Sequence, residues 1–146
     1  MLKHPAQITA LLTSLVLNSM IHSISKSGDG EAVGNAVVAT LIACGTGGLV
    51  VLFTWKFLAP QSGRVWSLAK FINGCLAGMV SVCAACNTYY PWMSCLTASA
   101  AGFIYLIVSD IMVRLRIDDP LDAVAVHGGP GTVFLDVFNY FHVGHA

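Results

Sequence analysis

The chain has 146 residues, of which 56% are hydrophobic and only 10% charged, with seven basic and seven acidic side chains and a mean hydropathy of +0.76. Soluble domains devote about a quarter of their residues to charge, so a water-exposed globule of this size is excluded for want of polar side chains to cover it. Zero formal net charge and the lack of any basic run exclude a nucleic-acid binder. An all-α, polytopic membrane bundle of about five transmembrane helices in a single domain (1–146) is predicted instead. The five cysteines (Cys44, Cys75, Cys83, Cys86, Cys95) are odd in number and lie in apolar stretches, which fits buried thiols rather than a secreted disulfide framework.

The first predicted span (5–24) is the weakest, because Gln7, Asn18 and His22 interrupt its apolar body and must face protein or a cavity rather than lipid. No cleavable leader is predicted, since no small-residue cleavage site follows the run. The polar stretch Ser25-Lys26-Ser27-Gly28-Asp29-Gly30-Glu31 has turn chemistry. Span two (34–58) is rich in small residues, among them Ala36, Ala39, Ala43, Gly45, Gly47 and Gly48, which let helix backbones approach closely in a bilayer. Trp55 and Lys56 mark its interfacial end. Span three (65–86) carries the pair Gly74-x-x-x-Gly78, a helix-contact pattern. Cys83 and Cys86 near its end have no second pair and no nearby histidine, so packing is expected of them rather than redox or metal chemistry. Tyr89, Tyr90 and Trp92 form an interfacial aromatic group before span four (92–113), and span five covers 120–141.

Lys56, Arg64 and Lys70 flank the connection after span two, and Arg114 and Arg116 that after span four. By the positive-inside rule both connections, and the N-terminus, are cytoplasmic.

Span five concentrates the chemistry. Asp119 is predicted to cap it, Pro120 to occupy its first turn, and Asp122 to place a carboxylate near the positive end of the helix dipole. Counted from Asp119 at about 1.5 Å per residue, His127 stands about 12 Å into the span, near mid-membrane. An ionisable group at that depth tends to line a pathway, and low dielectric favours its neutral form. Gly128, Gly129 and Gly131 leave room for a close neighbour or a lumen. Asp136 is an acid inside the span with no assigned role, and nothing is assigned to His142 or His145. No catalytic residue, metal ligand or cofactor site is predicted.

The run Asp118-Asp119-Pro120-Leu121-Asp122-Ala123-Val124-Ala125-Val126-His127-Gly128-Gly129 resembles the signature of the ammonium transporter family (Amt/Rh type), closest to its plant-like eukaryotic branch. Asn73-Gly74-Cys75-Leu76-Ala77-Gly78, Tyr90-Pro91-Trp92 and Val33-Gly34-Asn35-Ala36-Val37-Val38-Ala39-Thr40 are similar to other family spans, in order, from about Leu12 to Phe134. The resemblance implies the sixth to tenth of eleven spans, a trimer with a narrow hydrophobic pore in each subunit, and passage of ammonium or ammonia past two facing histidines. His127 matches the second; the first belongs to the family's fifth span. Leu17 and Asn18 fall on the family's gate-and-entrance run, with Leu17 at a phenylalanine position and Ile21 at a serine position. A multi-pass protein of the plasma membrane is therefore expected, acting as a homotrimer or with other transporter subunits. The alternative is a non-conducting structural or interaction protein that retains the packing of the transporter fold.

Overall fold

The structure is a computed structural model, which describes residues 30–58, 66–83, 90–117, 119 and 122–132. The first predicted span, with Leu17 and Asn18, lies outside the described residues, as do Cys86, Asp118, Pro120, Asp136, His142 and His145.

Helix α1 (Gly30–Phe53) opens with Glu31 in its first turn, where the helix dipole favours an acid, and continues into a π-helical turn at Thr54–Leu58. At 24 residues it is about 36 Å long, enough to cross a hydrocarbon layer of about 30 Å. An aromatic cluster finishes it. Phe53 and Phe57 stack at 6.0 Å, Trp66 meets both edge-on, and Lys56 lies over the Trp66 ring. Helix α2 (Leu68–Val82) is shorter, at 15 residues, and starts at Ser67, whose hydroxyl accepts from the Lys70 N–H at 3.4 Å. Helix α3 (Pro91–Arg114) begins with proline, whose missing N–H costs nothing in a first turn. It ends in a Schellman motif: the Arg116 N–H donates to the Val113 carbonyl and the Ile117 N–H to the Met112 carbonyl, with Arg116 at φ 57. The Gly30–Phe57 stretch and Pro91–Arg114 are each long and apolar enough to span a membrane, whereas Leu68–Val82 is a shorter apolar helix. No strand occurs among the described residues.

Packing sorts residues by size rather than by polarity. The buried stripe of α1 is Ala36, Ala39, Thr40, Ala43, Gly47, Gly48 and Val51. That of α3 is Ser94, Ala98, Ala101, Gly102, Tyr105 and Ser109, each three or four residues after the last or next to it. Large apolar side chains such as Leu41, Leu49, Phe103 and Ile107 point outward. In lipid, apolar side chains gain little by leaving the surroundings, so close backbone approach drives association instead. A Cβ on Gly47 would lie 2.5 Å from the Gly74 carbonyl oxygen, and one on Gly78 would collide with the Ala43 carbonyl oxygen. The Gly74/Gly78 pair is thus the α2 side of the α1–α2 contact.

Four hydroxyls of α1 and α3 turn back on their own backbone. Thr40, Thr46, Thr97 and Ser99 each donate to the carbonyl four residues earlier at 2.7–2.8 Å. This satisfies them without water, as a hydrocarbon setting requires.

Candidate functional site

The antiparallel arrangement brings the end of α1, the start of α2 and the end of α3 to one side of the bundle, where the chain enters its last described segment. That segment is helical over 123–132, with a π-helical turn at Val124–Gly128 carrying His127. π-turns inside helices recur at functional sites because they re-aim side chains. Ala125 and Val126 are buried against Val51, Ala77 and Tyr105. Gly129 faces α3, where a Cβ would sit 3.0 Å from Val108 and 3.1 Å from Ile104. His127 and Gly128 point the other way and are exposed, and among the described residues none hydrogen-bonds to the imidazole.

The start of this segment differs from the sequence expectation. Asp122 lies just before the helix at φ 53, a left-handed conformation that aspartate tolerates better than most residues. Its N–H closes a turn onto the Asp119 carbonyl, and its own carbonyl accepts the helical bond from Val126 N–H at 2.9 Å. The helix therefore starts about three residues later than a count from Asp119 assumes, and His127 stands only about a turn and a half, roughly 7.5 Å, beyond Asp122. Asp119 places its two carboxylate oxygens on the N–H groups of Ala123 and Val124 at 2.9 and 2.8 Å. The two acids hence play different parts, since Asp119 holds backbone donors while Asp122 reaches across the bundle.

One oxygen of Asp122, Oδ2, is the centre of a four-donor cluster. Tyr105 Oη donates to it at 2.7 Å, Lys70 Nζ at 2.8 Å, Ser109 Oγ at 3.3 Å and Asn73 Nδ2 at 3.4 Å. Lys70 Nζ also donates to Ser109 Oγ at 2.7 Å and to Tyr105 Oη at 3.2 Å. The side chains of Lys70 and Asp122 are only 19% and 21% exposed. At that burial each charge depends on the other, because an unmatched charge away from water is costly. By contrast, Arg114 pairs with Asp110 in the open, at 77% and 58% exposure, where an ion pair contributes little.

The sequence does not single out Lys70, Asn73, Tyr105 or Ser109 as site residues. Lys70 reads there as a topogenic charge and Asn73 as part of a motif, while Tyr105 and Ser109 lie unremarked within an apolar span. A signal does exist: Tyr105 and Ser109 continue the small-residue stripe of α3 and are the polar members at its end, on the face that packs inward.

The sequence profile of the Ammonium Transporter Family matches residues 19–139. The chain belongs to the ammonium transporter family. Among curated relatives, it is similar to the Caenorhabditis elegans protein assigned as ammonium transporter 1, at 44% identity over 76% of this chain and 20% of that protein. It is 30% identical to ammonium transporter 1 member 3 of Solanum lycopersicum over 74% of this chain and 23% of the relative. Identity to ammonium transporter 1 member 2 of Oryza sativa subsp. japonica is 30%, over 88% of this chain and 24% of that one. The chain thus spans about a fifth to a quarter of the length of these relatives. No solved structure matches it significantly. As a member of a family of multi-pass membrane transporters rather than of enzymes, this ammonium-transporter chain has a helical bundle as its fold.

Proposed function

We propose that this chain supplies the His127-bearing part of a conduit for ammonium or ammonia. Family membership supports the cargo. The observation that carries the placement is the last described segment: Asp122 is fastened to α2 and α3, Ala125 and Val126 are buried, and His127 is turned outward from the described helices. A neutral imidazole there can donate one hydrogen bond and accept another, which suits passage of a small molecule that does both. Conduction calls for the further length that the relatives possess, in the same chain or in another, including a partner histidine for His127. The assembly is a trimer of the plasma membrane. The end that gathers Lys56, Lys70, Arg114 and Arg116 faces the cytoplasm, as does the N-terminus. Leu17 and Asn18 belong to the pore entrance.

The test is growth on limiting ammonium of a yeast strain lacking its own ammonium transporters. The chain is expressed alone and together with a partner carrying five preceding spans. Growth in the second case, lost on His127→Ala, is expected. Absence of growth in both would favour the non-conducting reading that Leu17 and Ile21 invite, in which the chain keeps only the packing surfaces of the fold.

A further inference from the structure

The surroundings of the Lys70 terminus have a chemistry of their own. Its three N–H groups meet three oxygens: the Asp122 carboxylate at 2.8 Å, the Ser109 hydroxyl at 2.7 Å and the Tyr105 hydroxyl at 3.2 Å. One aromatic ring flanks the same nitrogen, with the Trp55 ring centroid at 5.3 Å. Cation–π attraction reaches to about 6 Å and strengthens when water is excluded. One formal negative charge, two hydroxyl acceptors and one π face around a single point form a receptor for a small N–H-bearing cation. The donors that converge on Asp122 Oδ2 hold that oxygen in place before any cation arrives. The oxygens come from α3 and from the residue that starts the His127 segment, and Trp55 comes from the turn after α1, so α2 supplies the cation and, in Asn73, a donor to Asp122, but no acceptor.

We propose that Trp55, Tyr105, Ser109 and Asp122 form an ammonium-ion cage that the Lys70 terminus itself fills, so that a tethered ammonium closes this end of the bundle. The cage takes free ammonium or a small primary alkylammonium once the tether is removed. Selectivity follows from the acceptors: they reward N–H donors aimed at three oxygens, so a quaternary cation of equal charge without N–H groups is a poor occupant. While Lys70 is in place, the cage is silent to ammonium in solution. The proposal is independent of the transport reading, since it is read out by binding and not by flux.

The experiment follows thermal unfolding of the full chain in lipid nanodiscs at constant chloride, with added ammonium, methylammonium, n-propylammonium, potassium or tetramethylammonium. Lys70→Ala lacks three methylenes and the ammonium group, which n-propylammonium replaces atom for atom. A saturable rise in Tm for Lys70→Ala is expected with n-propylammonium, methylammonium and ammonium, and not with tetramethylammonium. The unsubstituted chain shows no such rise, and Lys70→Ala/Asp122→Asn loses it. Lys70→Ser is carried in parallel in case the alanine variant does not fold without ligand. No amine-specific rise in either variant, or an equal rise in the unsubstituted chain, overturns the proposal. So does failure of both variants to fold even with n-propylammonium present, because a refilled cage restores every contact of the lysine.

Discussion

Arg116 holds a left-handed φ of 57 at the position after α3 where Schellman motifs favour glycine. A residue with a Cβ costs about 1–2 kcal/mol there, so Arg116→Gly is expected to raise stability by about 1 kcal/mol, measured by reversible unfolding in mixed micelles. Asp119→Ala removes the acceptor for two backbone N–H groups and should cost about 1 kcal/mol in the same assay. Asp122→Asn isolates charge from geometry, because asparagine also tolerates the left-handed backbone. It leaves Lys70 mostly buried beside a neutral amide, and the expected loss lies at the lower end of about 3–5 kcal/mol, since some solvent reaches the pair. At this scale the sequence discloses the acids but not their partners. Lys70 and Asp122 are 52 residues apart and Asn73 and Tyr105 32, separations that leave no periodic trace. The backbone reversal at Asp122 is equally hidden, because aspartate serves as a helix cap, as a first-turn acid and in a left-handed turn.

At the scale of elements, the α1–α2 contact separates glycines by consequence. Gly47→Ala places a methyl group 2.5 Å from the Gly74 carbonyl oxygen, and Gly78→Ala drives one into the Ala43 carbonyl; neither obstacle is a side chain that can rotate away. Gly45 lies on the same helix with nothing within 4 Å of its prospective Cβ. Gly47→Ala and Gly78→Ala should therefore lower the unfolding midpoint, whereas Gly45→Ala is neutral or slightly stabilising, as expected of alanine over glycine in an open helix position. The Gly74/Gly78 contact is legible in the sequence because its spacing is a packing signal in membranes. The stripe on α3 is also written there, from Ser94 through Ala98, Ala101, Gly102 and Tyr105 to Ser109. It escapes a search for apolar against polar faces, since both faces of α3 are apolar and differ in side-chain size. The length of α1 is legible in part: hydropathy starts a span at Gly34, while the helix begins at Gly30 because backbone hydrogen bonding continues through polar residues that hydropathy scores against.

Taken whole, the described bundle has an exterior of large apolar side chains around an interior mostly of small residues, joined by Val51, Met79, Val82 and Tyr105, and it collects its charges, Glu31 apart, at one end. Composition alone foretells the membrane setting and helical class, which the family match bears out. The His127 segment rides on the charged end, so a substitution there should reach function through position. Asp122→Asn is expected to reduce ammonium-dependent growth in the co-expression assay less than His127→Ala does, with the protein still present in the membrane by immunoblot. Equal loss in the two variants at equal abundance would contradict a purely supporting part for Asp122.

The same cluster sets a timetable for biogenesis. Synthesis proceeds at about 5–20 residues per second, so the 52 residues between Lys70 and Asp122 take roughly 3–10 s to follow. Through that interval α2, with 15 residues and a lysine and an asparagine in its first two turns, lacks the carboxylate that its lysine pairs with in the folded bundle. Its settling in the bilayer is thus coupled to the emergence of Asp122 from the ribosome, and a nascent chain cut before that residue leaves α2 the least firmly inserted of the three helices.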